Sequence, residues 1–137
     1  MIMNTRAPAV AGSFYPDDPD HLRDLIHELL DAEIDEIKMP DDTGRIIGGV
    51  VPHAGYSYSG YEAVHFFDLI KRSVQSPETV VILHPNHQGF GPDVSIDASN
   101  GWDTPFGEVL IDREMAELLG IPASAEAHRM EHAAEVM

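Results

Sequence analysis

The chain of 137 residues contains no cysteine. That excludes a disulfide framework, a thiol nucleophile and a thiolate metal site within it, and leaves chemistry to His, Asp, Glu, Ser and Tyr. Basic residues are scarce: 8 Lys and Arg stand against 24 Asp and Glu, a formal charge of −16. Such a surface repels phosphate backbones and anionic lipid, so neither nucleic acid nor a membrane is an expected partner. The acidity fits either ordinary solubility or a salt-rich cytoplasm, where screening tolerates self-repulsion. No apolar run is long enough to span a bilayer, and Met1 to Gly12 carries no signal-peptide pattern, so a cytoplasmic, soluble protein is expected. P-loop, GxGxxG and GxSxG patterns are missing too, which removes the commonest nucleotide-binding and acyl-transfer readings.

What is present reads as one α/β domain over residues 1–137, without internal repeat or linker. Asp18 before Pro19 is a helix start, because an acidic N-cap and a proline at the first helical position both suit the orphan N–H groups there. Leu22, Leu25, Ile26, Leu29, Leu30, Ile34 and Ile37 then form a stripe at helical spacing, which Pro40 ends. Asp41-Asp42-Thr43-Gly44 reads as a turn. The β-branched runs Ile46–Val51 and Thr79–Leu83 read as buried strands flanking a helix from Tyr61 to Arg72, with Ser76-Pro77 breaking that helix. Such a βαβ unit implies parallel pairing. Shorter strands are expected at Val94–Ile96 and Glu108–Ile111, with an irregular loop from Gly101 to Gly107 between them. Asp112 caps a short helix stopped by Gly120, and a last helix is expected from about Ala127 to Met137.

In a parallel sheet the functional crevice lies beyond the carboxyl ends of the strands. The two expected strands empty into Pro52-His53-Ala54-Gly55-Tyr56-Ser57-Tyr58 and His84-Pro85-Asn86-His87. From there His53 and His87 are candidate ligands for a metal that takes imidazole nitrogen, although loop histidines bonded to backbone are the plainer alternative. His84 is a candidate for proton transfer or for packing against the strand end. Glu131-His132 with Glu135 supplies a candidate base or supporting carboxylate, the two glutamates sharing one helical face, or else a solvated surface. Tyr56, Tyr58 and Asn86 are candidate pocket residues, and His21, His27 and His65 read as surface histidines.

Five segments in order carry a family resemblance. They are Arg6 to Pro16 (RAPAVAGSFYP), Pro52-His53-Ala54-Gly55-Tyr56 with Ser59-Gly60, Ile82 to His87, Thr104-Pro105-Phe106-Gly107, and Glu131-His132 with Glu135. Together they resemble the Memo family, also called AmmeMemoRadiSam system protein B, over nearly the whole chain but only about the first half of the family's domain. The resemblance implies a fold like that of class III extradiol dioxygenases, a three-layer α/β/α architecture with a mostly parallel sheet, here truncated. It also implies that His53 and His87 are metal ligands, with Fe(II) first and Cu or Zn as alternatives. Glu131, His132 and Glu135 match the family's EHxxE segment. His84 stands where the family usually has glycine. The family's third ligand, a cysteine in some members, belongs to a second half that this sequence does not supply.

The resemblance leaves two functions in view. One is an iron-dependent oxidoreductase in which His53 and His87 hold the metal, His132 or His84 moves protons, and Tyr56, Tyr58, Asn86 and Glu131 line the pocket of a small substrate. The alternative is a non-catalytic module that binds metal, a small molecule or a peptide, or acts beside a radical-SAM enzyme. A third ligand discriminates between them. An incomplete sheet further predicts a homo-oligomer or pairing with a second-half chain.

Overall fold

The computed structural model describes residues 4–38, 45–73 and 77–137. Pro40, the expected turn at 41–44 and Ser76 lie outside these. The described residues form a mixed α/β structure in two units, Gly12–Val81 with Val136–Met137, and Met1–Ala11 with Ile82–Glu135.

The first unit is built on two helices, α1 (Pro19–Glu33) and α2 (Tyr56–Arg72). Asp18 caps α1 as expected, its carboxylate accepting from the N–H groups of Asp20 and His21 at 3.0 and 2.9 Å. The bond from His21 draws the carboxyl below its usual range. Leu22 and Leu29 are buried and Ile34 lies past the helix end, so α1 is shorter than the apolar stripe that announced it. Helix α2 begins at Tyr56, five residues before the expected start. Its N-cap, Gly55, has no capping side chain, but the Tyr56 N–H donates to the Phe14 carbonyl at 2.8 Å, which satisfies one of the orphan donors. Gly60 is helical because α1 and α2 touch there. A Cβ at Gly60 would sit 2.5 Å from Leu29 Cδ1, so only glycine permits this approach, at the usual helix-propensity cost of about 1 kcal/mol. His65 and Glu33 pair at 3.0 Å between the same two helices.

The second unit holds a small mixed sheet in the order β1-β2-β3. Strand β1 (Thr5–Arg6) runs parallel to β2 (Gly101–Thr104), and β2 runs antiparallel to β3 (Gly107–Leu110). The expected loop from Gly101 to Gly107 is thus mostly strand and turn. Pro105 and Phe106 make the tight connection, Gly107 takes φ 113°, and the Thr104 hydroxyl donates to the Gly107 carbonyl at 2.7 Å. Proline fits because the turn needs no N–H from it. Val94–Ile96 forms only a parallel bridge, Ile96 with Ala123. Helix α3 (Arg113–Leu119) has the expected Asp112 cap and ends on Gly120 in the left-handed region at φ 64°. Helix α4 (Ala125–Arg129), capped by Ser124, ends well before Met137, so Glu131, His132 and Glu135 follow it in turns instead of sharing a helical face.

The largest difference from expectation concerns the parallel sheet. Among the described residues, 46–51 and 79–83 form no strand of the sheet. Ile47 and Val50 are 96% and 99% exposed, and Leu83 is 91% exposed. The runs have the composition of buried strands, but apolar composition cannot supply the neighbouring backbone that a ladder requires.

Candidate metal centre

Loop 84–91 follows the second of these runs. It is shaped by Asn86, whose side chain donates to the Phe90 carbonyl at 2.7 Å and accepts from the Gly89 N–H at 2.9 Å. Gly89 sits at φ 68°, a conformation that glycine adopts without strain. This turn presents His87. Residues 131–133, just past α4, present the groups that meet it.

Glu131 organises the site. Its side chain is the largest fully buried one among the described residues, at 1% exposure. Its carboxylate accepts four N–H groups: the His87 backbone at 2.6 Å, His87 Nδ1 at 2.8 Å, the His132 backbone at 2.9 Å and the Ala133 backbone at 3.0 Å. Burial pushes its pKa up. The His87 ring bond, the Ala133 and His87 backbone bonds and the His87 charge outweigh burial and hold it down at about 2. Glu131 is therefore an anion at neutral pH. With a proton held at Nδ1 by that anion, the lone pair of the His87 ring is on Nε2. The His132 ring stacks on the His87 ring, with centroids 4.6 Å apart and planes at 19°, and the two offer nitrogens within 4.8 Å of each other. One buried carboxylate thus holds the ring of His87 and the main chain of His132, and imidazole nitrogens are donors that suit a divalent transition metal. His53, the other histidine that the motifs nominate, is half-buried in the helical unit.

The other expected site residues are placed elsewhere. His84 packs edge-on against His128, centroids 5.4 Å apart, and its Nδ1 lies 2.9 Å from the Pro85 carbonyl. Tyr56 starts α2 and packs against Tyr15 at 5.7 Å, its phenol pKa raised by burial. Tyr58 is 85% exposed. Glu135 accepts from Arg6 and from the N–H groups of Ala9 and Val10, which makes it a clamp rather than an acid or base. Two residues here escape a sequence reading. His128 is buried and its Nδ1 has no hydrogen-bond partner, while burial holds its pKa down and keeps the ring neutral. Arg6 is buried beneath the site segment. His128 stands four residues before His132, a spacing that would have suggested it only if the helix had continued.

The family model for Memo-like protein matches residues 6–137. The chain belongs to the Memo family. It is 43% identical over 141 residues to a MEMO1 family protein of Methanopyrus kandleri, covering 96% of this chain and 49% of that one. A MEMO1 family protein of Thermococcus onnurineus is also 43% identical, with 96% and 45% covered. One from Aquifex aeolicus is 40% identical, with 98% and 48% covered. The chain spans about half the length of these Memo relatives. Among the described residues no helix is long and apolar enough to cross a membrane.

Proposed function

We propose that this Memo-family chain binds a divalent transition metal through His53, His87 and His132, with Glu131 as the buried carboxylate that orients His87. The observation that carries the reading is the Glu131 cluster: a buried anion holds Nδ1 of one imidazole, and a second imidazole stacks on the first. A carboxylate behind a histidine fixes its tautomer and raises its basicity as a ligand. His53 joins the set through its loop position and the motif it shares with the family. His132 thereby changes from candidate acid or base to candidate ligand, which answers the demand for a third donor within this chain. Fe(II) is the metal we assign first, with Cu and Zn as alternatives. Three neutral imidazoles with open positions would supply Lewis-acid or redox chemistry when loaded. Oxidation of a small substrate is the catalytic form of this reading, and a non-catalytic metal-binding module is its alternative.

The exposed runs at 46–51 and 79–83 support the rest of the proposal. With polypeptide equivalent to the second half of the relatives in place, they become strands of a mostly parallel sheet within a three-layer fold. A second-half chain is the partner we assign, with self-association as the other outcome of a sizing experiment.

Anaerobic purification, reconstitution with Fe(II), Zn(II) or Cu(II), and elemental analysis test the site. The wild type is expected to retain metal after desalting, and His53→Ala, His87→Ala and His132→Ala each to lose most of it. Equal metal content in all four proteins, or none in the wild type with any of the three metals, overturns the assignment.

A further inference from the structure

The side chain of Arg6 is almost fully enclosed, yet it touches none of the histidines proposed as ligands. Its guanidinium lies 4.1 Å over the Trp102 ring and is 6% exposed as a residue. Nε donates to the His128 carbonyl at 2.8 Å, Nη2 to the Glu131 carbonyl, and Nη1 to Glu135 Oε2 at 2.8 Å. The Arg6 and Glu135 side chains are 4% and 2% exposed. Glu135 also accepts from Ala9 N at 2.7 Å and Val10 N at 2.9 Å. The fork serves a carbonyl of the last turn of α4, that of His128, which also accepts from the Glu131 N–H at 3.2 Å, and the carbonyl of Glu131 just past the helix. Glu131 is thus held from two sides. Its backbone carbonyl is fixed by Arg6, and its carboxylate reaches the other way to His87 and to the N–H groups of His132 and Ala133.

We propose that Arg6 is a positioning residue for the His87–His132 pair. Its planar fork sets the main chain of residues 128–131, and that placement lets one carboxylate meet the His87 ring, the His87 backbone and the turn that carries His132. Lysine keeps the charge opposite Glu135 but is a single point donor on a flexible stem, and cannot hold the carbonyls of His128 and Glu131 and the Glu135 carboxylate in one plane. Losing a group that orients a ligand typically lowers metal affinity about 10–100-fold.

The inference rests on the metal reading, and the test separates the two. Co(II) titration, followed by visible absorption, measures affinity. Nitrogen-15 NMR of the metal-free protein measures the His87 tautomer, which needs no metal. The wild type is expected to show one His87 tautomer, protonated at Nδ1, and Arg6→Lys a mixture, with Co(II) affinity about 10–100-fold lower. Glu135→Gln, which leaves an acceptor in place, is expected to shift both readouts in the same direction by less, and decides the matter should Arg6→Lys fail to fold. Trp102→Phe removes the ring above Arg6 but no donor to the two carbonyls, and is the control for general loosening. An unchanged tautomer and unchanged affinity in Arg6→Lys and Glu135→Gln overturns the proposal, as does an equal loss in Trp102→Phe. If the wild type binds no Co(II) but its single tautomer is lost in Arg6→Lys, the metal reading falls and the positioning role stands.

Discussion

The polar knot around Glu131 and the apolar runs at 46–51 and 79–83 are opposite solutions to the problem of placing backbone and side chains. In the knot the charged groups are paired, those of Arg6 across more than 120 residues of chain. Arg6 serves two carbonyls and a carboxylate, and Glu131 accepts four N–H groups. In the runs, residues with the composition of a sheet interior stand in the open, Val50 at 99% and Leu83 at 91% exposure. Buried charges are costly unless paired, so the carboxylates and the guanidinium of the knot must find partners locally or through the fold. An apolar strand has no such local requirement and waits for whatever backbone lies beside it. The function proposed for this Memo-family chain therefore rests on the region whose charged groups are paired.

The sharpest way to break that comparison is a pair of substitutions. Glu131→Ala strips a shared acceptor from three backbone donors and a ring nitrogen, and is expected to destabilise the protein by about 3–5 kcal/mol, as loss of one member of a buried charged network does. Val50→Ser changes a side chain that is already in water and is expected to move stability by less than about 0.5 kcal/mol. Urea unfolding followed by circular dichroism measures both. A large loss in Val50→Ser would mean that the run is covered in solution, and would shift attention to what covers it.

Acid sharpens the same contrast. Glu131 titrates near 2 in the folded protein against 4.5 for an unperturbed glutamate. A depressed folded pKa means that the unfolded state binds the proton first, so the stabilisation is fully present above the unfolded pKa and is lost as pH falls from about 4.5 towards 2. Linkage puts the amount at about 3 kcal/mol. Stability measured across that window should fall steeply in the wild type and less so in Glu131→Gln, whose starting stability is lower. Parallel curves would show that other carboxylates, not Glu131, carry the acid sensitivity.

These contrasts also explain what was legible in the residues. The starts of α1 and α3 were readable because Asp18 and Asp112 act on N–H groups two or three positions away. Asp112→Ala should accordingly cost about 1 kcal/mol by urea unfolding. The start of α2 was not readable. Gly55, Ser57, Ser59 and Gly60 look like a loop, whereas the helix starts at Tyr56, whose N–H meets the Phe14 carbonyl, and carries Gly60 where Leu29 approaches closely, both partners being distant in sequence. The Gly101–Leu110 hairpin was hidden by its own Pro105 and Gly107, which mark a turn but not the strands on either side. In the site, His87, His132 and Glu131 were recoverable because motifs place them. Their grouping through one carboxylate was not, and Arg6 gave no signal beyond its place in a motif, since its partners lie more than 120 residues away.

The smallest expected effect separates exposed from buried charge. Along α1 and its flanks Asp17, Asp18, Asp20, Asp24, Glu28, Asp31, Asp35 and Glu36 are all exposed, and the chain as a whole carries −16. Repulsion among such groups acts through water and is screened over about 10 Å at 0.1 M salt, whereas the Arg6–Glu135 pair lies out of reach of counterions. Raising NaCl from low to physiological concentration should therefore raise the melting temperature by about 2–4 °C, which corresponds to less than about 1 kcal/mol. Glu135→Gln, which removes a buried charge and leaves the exposed carboxylates in place, should show the same rise from a lower starting point. If the rise disappears in Glu135→Gln, the buried pair rather than the acidic surface is the salt-sensitive element, and the division between knot and open surface fails on the electrostatic side.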